Sequence, residues 1–308
     1  MITFYSPHYN IDLGLLNKLH PFDGRKFRKV QEAIQSLGVT HQAVASEVTP
    51  AQLDSFAGEI LRPLYASKRY VLRALEVPYI PLLPFGIIDR RVLAPMRWAV
   101  QGTIDAALAA LAGHDCWNLS GGYHHASRNA AEGLCIYNDV GIAVEELRAR
   151  GLLGESERFM IVDIDAHHGN GNGHVFLKDR SVEILDIYNA DIYPNSPTTK
   201  DRVDIGIPLR SGTRGAEYLD RLRDGLARLQ GGARVAFVIA GTDVLASDPL
   251  GALALTVEEC IERDRMVFDR LKALGIPAVF LGGGGYGPDS ARAMIGGIKA
   301  CHSHQVAV

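Results

Sequence analysis

The sequence predicts an α/β protein built on a mostly parallel sheet. Three observations carry this. Short, continuously apolar runs recur, among them Phe159-Met-Ile-Val162, Val235-Ala-Phe-Val-Ile-Ala240 and Ala278-Val-Phe-Leu281. Parallel strands covered on both faces read this way, without polar alternation. The runs alternate with helical patterns, as strand–helix–strand crossovers do. Several runs end in glycine and then polar side chains, and ligand sites of open parallel sheets lie beyond the carboxyl ends of the strands.

Strands are expected at Thr3–Tyr5, Trp117–Ser120, Phe159–Ile164, Glu183–Ile187, Val235–Ala240 and Ala278–Leu281. Helices are expected at Pro95–Leu111, Val140–Arg150, Ala216–Leu229, Val257–Leu274 and Asp289–Ala300. Ala106–Ala110 and Tyr218–Leu222 hold strong helix formers. Pro78, Pro81 and Pro84 forbid regular helix and mark a long loop, the kind of segment that rims sites. The first residues lack a basic region followed by an apolar run, so they read as a strand rather than a signal peptide.

A chain of 308 residues allows one large domain or two small ones. A hydrophobic content of 47% supplies a core, and no Pro/Gly/Ser-rich linker divides it, so residues 1–308 are expected to form a single domain. Net charge is −3 with no dominant Lys/Arg cluster, which argues against nucleic-acid binding. The basic run from Asp89-Arg-Arg91 to Arg97 reads as a solvated helix start. No apolar stretch reaches the roughly 20 residues of a membrane span. Cys116, Cys135, Cys260 and Cys301 form no C-x-x-C pair, so a disulfide framework is not expected and a reducing, cytoplasmic setting fits. Cys301-His-Ser-His304 has metal-like composition, but its place at a terminus predicts a mobile tail.

The most informative stretch is Phe159-Met-Ile-Val-Asp-Ile-Asp-Ala-His-His-Gly-Asn170. Asp163, Asp165 and His167 alternate, so an extended chain points them one way. Unpaired carboxylates beside a core are costly, and a bound metal removes that cost. Taken alone, the segment also fits a surface turn. Two further segments have the same form, Cys116-Trp-Asn-Leu-Ser-Gly-Gly-Tyr-His-His-Ala126 and Val235 to Val244, and Gly282-Gly-Gly-Gly-Tyr286 follows another apolar run. Asp165, His167 and Asp243 then give the three protein ligands of a catalytic zinc, with a fourth position open. His124, His125 and Tyr286 gather round them.

Together, Gly121-Gly-Tyr-His-His125, Asp163-x-Asp165-x-His167-His168-Gly169, Gly241-Thr-Asp243 and Gly282 to Tyr286 resemble the zinc-dependent histone deacetylase family. The resemblance runs from about Ile2 to the helix after Tyr286. It implies a three-layer α/β/α architecture, the arginase–deacetylase fold. Tyr5-Ser-Pro-His-Tyr-Asn10, Lys18-Leu-His-Pro-Phe-Asp23, Asp186-Ile-Tyr-Asn189, Ile192-Tyr-Pro194 and Ala240-Gly-Thr-Asp243 look like the class IV branch and its bacterial relatives.

By this resemblance Asp163 bonds His124, and His125 is the general base and acid. Tyr286 is expected to donate to the oxyanion. Without the other motifs it would read as a rim aromatic. His168 should face away from the metal. Gly133, Leu134, Tyr193 and Leu250 are expected to line an acyl-lysine tunnel. Many deacetylases carry an aromatic residue where Leu134 stands, so longer acyl chains fit the expectation. Asp89 is a further candidate for contact with the substrate backbone. Asn170 departs from the aspartate that backs the second histidine in much of the family, which leaves His125 without an adjacent negative charge. The resemblance also implies one Zn²⁺ per chain, although Fe²⁺ suits the same ligands, and a structural monovalent cation. Two-manganese arginase relatives use D-A-H-x-D and D-x-D, where this chain has Gly169 and Leu245, so a dinuclear site is not expected.

The sequence therefore points to an amidohydrolase acting on N-acyl-lysine of proteins or peptides, with acetyl or longer fatty acyl groups. Two rivals are a small-molecule deacetylase, for instance of acetylated polyamines, and a protein-binding scaffold with a degenerate site. Gly282 to Gly287 also satisfies G-x-G-x-x-G, but at the end of the chain rather than in an opening βαβ unit, so dinucleotide binding is disfavoured.

Overall fold

The computed structural model describes residues 1–11 and 22–306. Eight strands form one sheet: β1 (Ile2–Tyr5), β2 (Thr40–Ala43), β3 (Cys116–Asn118), β4 (Phe159–Asp163), β5 (Val182–Asn189), β6 (Ile205–Leu209), β7 (Ala236–Ile239) and β8 (Ala278–Leu281). Their order is β2-β1-β3-β8-β7-β4-β5-β6, and every pairing is parallel. The four motif-bearing strands, β3, β8, β7 and β4, are neighbours at the centre. Asn118, Leu281, Ile239 and Asp163 are register partners in sequence across them. The segments that follow therefore leave the sheet at one level, as the site requires.

β4, β7 and β8 are buried along their whole length, which explains their unbroken apolar composition. Trp117 stacks on Phe280 with ring centroids 4.7 Å apart. The buried apolar side chains of sheet and helices form one continuous cluster. The expected central helices are present as Ala94–Leu111, Asp139–Ala149, Gly215–Arg228, Val257–Ala273 and Ser290–Val306. Thr256 caps the fourth of these, accepting from the Glu259 amide while the Glu259 carboxylate accepts from its own.

Two strands were not legible in the sequence, and both are edges. β2, Thr-His-Gln-Ala, is exposed throughout and has no apolar run. β6 alternates buried and exposed residues and carries Pro208, which an edge strand tolerates. The tail also departs from expectation. The last helix runs through Val306 and buries Cys301 fully, so a packed helix replaces the mobile tail. Arg97 is not a solvated charge: its guanidinium lies 2.7 Å from Asp89 and 2.8 Å from Glu47. That pairing occupies the Asp89 carboxylate that the sequence offered to substrate. Residues 18–21 of the Lys18–Asp23 motif lie outside the described residues. Among the described residues, no helix is long and apolar enough to cross a membrane.

Candidate active site

Asp163 ends β4, and the chain beyond it stays extended enough for Asp165 and His167 to turn toward the same space. Asp243, on the segment after β7, joins them. The ligand-type atoms of Asp165, His167 and Asp243 all lie within 4.8 Å of one another. His167 Nδ1 sits 3.2 Å from Asp165 Oδ1 and 2.9 Å from Asp243 Oδ2. Backbone donors fix the carboxylates: Gly284 N–H gives to Asp165 Oδ2 and Ala166 N–H to Asp243 Oδ1. The neighbouring backbone must approach closely. A Cβ at Gly284 would lie 2.7 Å from Asp165 Oδ2 and 2.9 Å from Asp243 Cγ.

This donor set fits one divalent cation. Both carboxylates are at most 1% exposed, and one imidazole stands between them. Burial disfavours protonation of His167, but Asp165 and Asp243 outweigh it and push the imidazole up to about 11. Burial, together with the charge of Asp165, raises Asp243. A proton on His167 balances the cluster poorly, whereas two anionic ligands and a neutral imidazole neutralise a dication. No second site is built beside it: Gly169 and the buried Leu245 bring no carboxylate. Arg263, fully buried on the helix Val257–Ala273, donates to the carbonyls of Ile164 and Gly241. It thus ties β4 to β7 beneath the two aspartates.

The histidine pair follows β3. His124 Nδ1 lies 2.7 Å from Asp163 Oδ2. Burial opposes its charge, but Asp163 and Asp165 prevail and raise it to about 9. His125 Nδ1 lies 2.7 Å from Asn170 Oδ1. Burial and the positive charges of His124 and His167 hold His125 well below the ordinary histidine value. The two adjacent imidazoles are therefore driven apart, one toward the cation and one toward the neutral base. His168 turns away, as expected, to Asp186 at 2.6 Å and Thr199 at 2.8 Å.

Tyr286 stands in the cavity wall, partly exposed. Burial and the carboxylates of Asp243 and Asp165 keep its phenol protonated far above the ordinary value, as a hydrogen-bond donor must be. Asp248 fixes its backbone, accepting from the Tyr286 and Gly287 amides at 2.7 and 3.0 Å. Lys26 reaches the same loop from the first long helix. Its buried ammonium donates to the Gly285 carbonyl at 3.2 Å, and burial lowers it to about 8.

A cavity of about 790 Å³ opens on this cluster. His124, His125, Asp165, His167 and Tyr286 form its reactive end. Leu72, Leu75, Val77, Ile80, Leu83, Leu134, Val92 and Met96 make the rest largely apolar. The proline-marked loop supplies Val77, Pro78, Ile80 and Leu83, so it is a wall of the site. Gly133 and Leu134 line the cavity as expected. Tyr193 sets its ring edge-on to His125, with centroids 5.2 Å apart. Tyr193 and Leu250, 43% and 39% exposed, both lie outside the lining of this cavity, and Asp248 accepts from the Leu250 and Gly251 amides. A groove of about 950 Å³ elsewhere, bordered by Arg128, Arg148 and Lys178, contains none of these side chains.

Several supporting residues were not found from the sequence. Asp139 accepts from the amides of Gly122 and Tyr123 and from Thr103 Oγ1, clasping the turn before His124. Its signal was a charge at the head of a helix whose next five residues, Val140 to Val144, are apolar or glycine. Lys26, Glu132 and Asp248 carry no local pattern, since their partners are distant in the chain.

Comparison with known proteins agrees with this geometry. The family model for the histone deacetylase domain matches residues 83–299. Histone deacetylase 2 of Arabidopsis thaliana is 33% identical over 300 residues, covering 96% of this chain and 77% of the plant protein. Histone deacetylase 1 of Homo sapiens is 29% identical over 206 residues, 62% of this chain and 38% of the human one. Among solved structures, the HDA15 HD domain superposes with a TM-score of 0.74 at 19% identity, covering 99% of this chain and 89% of that one. An acetylpolyamine aminohydrolase from Burkholderia pseudomallei superposes with a TM-score of 0.73, also at 19% identity, covering 98% and 99%. The parallel sheet is that of the arginase–deacetylase fold, and the chain belongs to the histone deacetylase family, enzymes that hydrolyse amides.

Proposed function

We propose that residues 1–308 form one catalytic domain that removes acyl groups from the side-chain nitrogen of lysine, and that the metal is zinc. The observation that carries this is the pairing of the Asp165–His167–Asp243 donor set with a largely apolar cavity. When bound, the dication polarises the substrate carbonyl and acidifies water. His125, neutral, takes the proton of the attacking water at Nε2, since Nδ1 is engaged with Asn170. His124 holds positive charge beside Asp163. The Tyr286 hydroxyl donates to the carbonyl oxygen as its charge develops. His125 then returns its proton to the leaving amine.

The cavity walls favour acyl-lysine over polyamine. A polyamine carries further ammonium groups and calls for acidic walls. Among the described residues that line the cavity, Asp165 and Glu76 are the carboxylates, and Arg91 adds a positive charge. Leu134 and the loop Val77–Leu83 leave apolar room for chains longer than acetyl, in keeping with the class IV motifs. The test is a panel of acyl-lysine peptides and acetylpolyamines assayed with zinc-reconstituted protein. Turnover of acetylpolyamines alone would reject the reading, and full activity in metal-free protein would reject the zinc chemistry.

A further inference from the structure

Asn170 leaves His125 without a neighbouring carboxylate, yet a carboxylate stands one step further out. Asn170 Nδ2 donates to Glu132 Oε1 at 2.6 Å, while Asn170 Oδ1 faces His125 Nδ1 at 2.7 Å. An asparagine side chain has one accepting end and one donating end, and nothing in its shape decides which faces the imidazole. A carboxylate has no hydrogen to give, so Glu132 claims the NH₂ end. The oxygen must then face His125. That oxygen accepts only, so the His125 proton must sit on Nδ1. Nε2 is left bare, toward the cavity.

We propose that Glu132 is a positioning residue that selects the catalytic tautomer of His125 by fixing the orientation of the Asn170 amide. This rests on the reading of His125 as the proton carrier. Reversed, the amide would present NH₂ to Nδ1 and select the tautomer with hydrogen on Nε2, which cannot take a proton from water.

Glu132 is suited to this by its setting. It opens a tight turn in which Glu132 N–H gives to the Cys135 carbonyl and Cys135 N–H to the Glu132 carbonyl, at 3.1 and 2.9 Å. The two central residues, Gly133 and Leu134, both have left-handed backbone, with φ of 55° and 65°. A leucine rarely adopts this conformation, and the Leu134 amide is anchored to the Ala74 carbonyl at 3.0 Å. The turn is pressed against the imidazole: a Cβ at Gly133 would lie 2.6 Å from His125 Cδ2. The Tyr193 ring meets His125 edge-on, with centroids 5.2 Å apart, and the Glu132 carboxylate that holds Asn170 is half-buried.

The test uses three variants with equal metal content, assayed on one acyl-lysine peptide. Glu132→Leu frees the amide and should lower kcat by about 10–100-fold with KM little changed. Glu132→Gln allows either polarity of the chain and should fall between. Glu132→Gln combined with Asn170→Asp fixes the polarity again, because the new carboxylate can only accept from His125, and should restore kcat to within a few-fold of the parent when each protein is measured on the pH plateau above its own acidic limb. Nitrogen-15 shifts of the His125 ring should show Nδ1 protonated in the parent and a tautomer mixture in Glu132→Leu. Unchanged kcat and shifts in Glu132→Leu overturn the proposal, as does a paired variant that folds and binds metal but stays impaired. His125→Ala separates the two readings. If it keeps activity, the role given to His125 fails, and the ring shifts alone decide whether Glu132 sets the tautomer.

Discussion

His167 and Asp243 lie on segments that follow different strands, β4 and β7, yet their side chains meet at 2.9 Å in a buried space shared with Asp165. Removing the Asp243 carboxylate should therefore abolish metal binding as well as activity. Asp243→Ala is expected to fall from about one zinc per chain to near none in elemental analysis. A parent stoichiometry near two, or full activity in the variant, contradicts the mononuclear assignment.

In the proposed mechanism Tyr286 serves the carbonyl oxygen, and it is not among the candidate metal ligands Asp165, His167 and Asp243. Tyr286→Phe should retain its zinc and lose about 10²–10³ in turnover, the scale of one lost oxyanion donor. A loss of less than a few-fold would make it a wall residue only. Metal analysis of the same sample distinguishes this from collapse of the site.

Leu134 and the loop that carries Val77, Ile80 and Leu83 border one apolar space. A ring at position 134 would intrude on it. Leu134→Phe should depress hydrolysis of long acyl chains more than of acetyl, read as the ratio of kcat/KM on two peptides that differ only in acyl length. Equal losses would show that this wall does not set chain length.

His125 must be neutral to act as base, and burial with the charge of His124 already lowers its pKa. A carboxylate in contact with Nδ1 favours the imidazolium, so the pKa should rise and the base should be lost at higher pH. Asn170→Asp alone would set two carboxylates face to face, since Glu132 lies 2.6 Å from the Asn170 amide. The cleaner comparison adds Glu132→Gln, which moves one negative charge inward at constant net charge. The acidic limb of kcat/KM should then shift to higher pH. A limb that stays in place with zinc retained would mean that another group titrates there.

The sheet's centre and the reactive residues were legible because each is a local pattern: an apolar run, a glycine, then side chains of one chemistry. β4, β7 and β8 are buried on both faces and announce themselves. β2 has no apolar residue beyond Ala43 and is held by pairing with β1, which only the fold reveals. The same contrast divides the site. Asp165 and His167 are two residues apart, so alternation aligned them. Lys26 and Gly285 are 259 residues apart, and the Asp139 clasp of Gly122 spans 17. Such partners leave no trace in any short window. Resemblance supplied Leu250 as a position in sequence, and its place beside Asp248 and Gly251 depends on a turn that the sequence pattern does not show.

The loops after β3, β7 and β8 interlock. A Cβ at Gly122 would lie 2.9 Å from Gly283 Cα, and one at Gly283 would lie 2.7 Å from Gly241 Cα. Backbone here meets backbone, which cannot yield as a flexible side chain can. A substitution at Gly122 or Gly283 therefore disturbs two loops at once, and one at Gly241 drives into the Asp165 carboxylate. The apolar wall on the loop of Val77, Ile80 and Leu83 shows no such backbone-to-backbone approach. If that wall sets the acyl group, as proposed, a lineage or a laboratory selection can vary it there while the glycine knot stays fixed. Directed libraries belong on the wall, and the glycine knot should be left unrandomised.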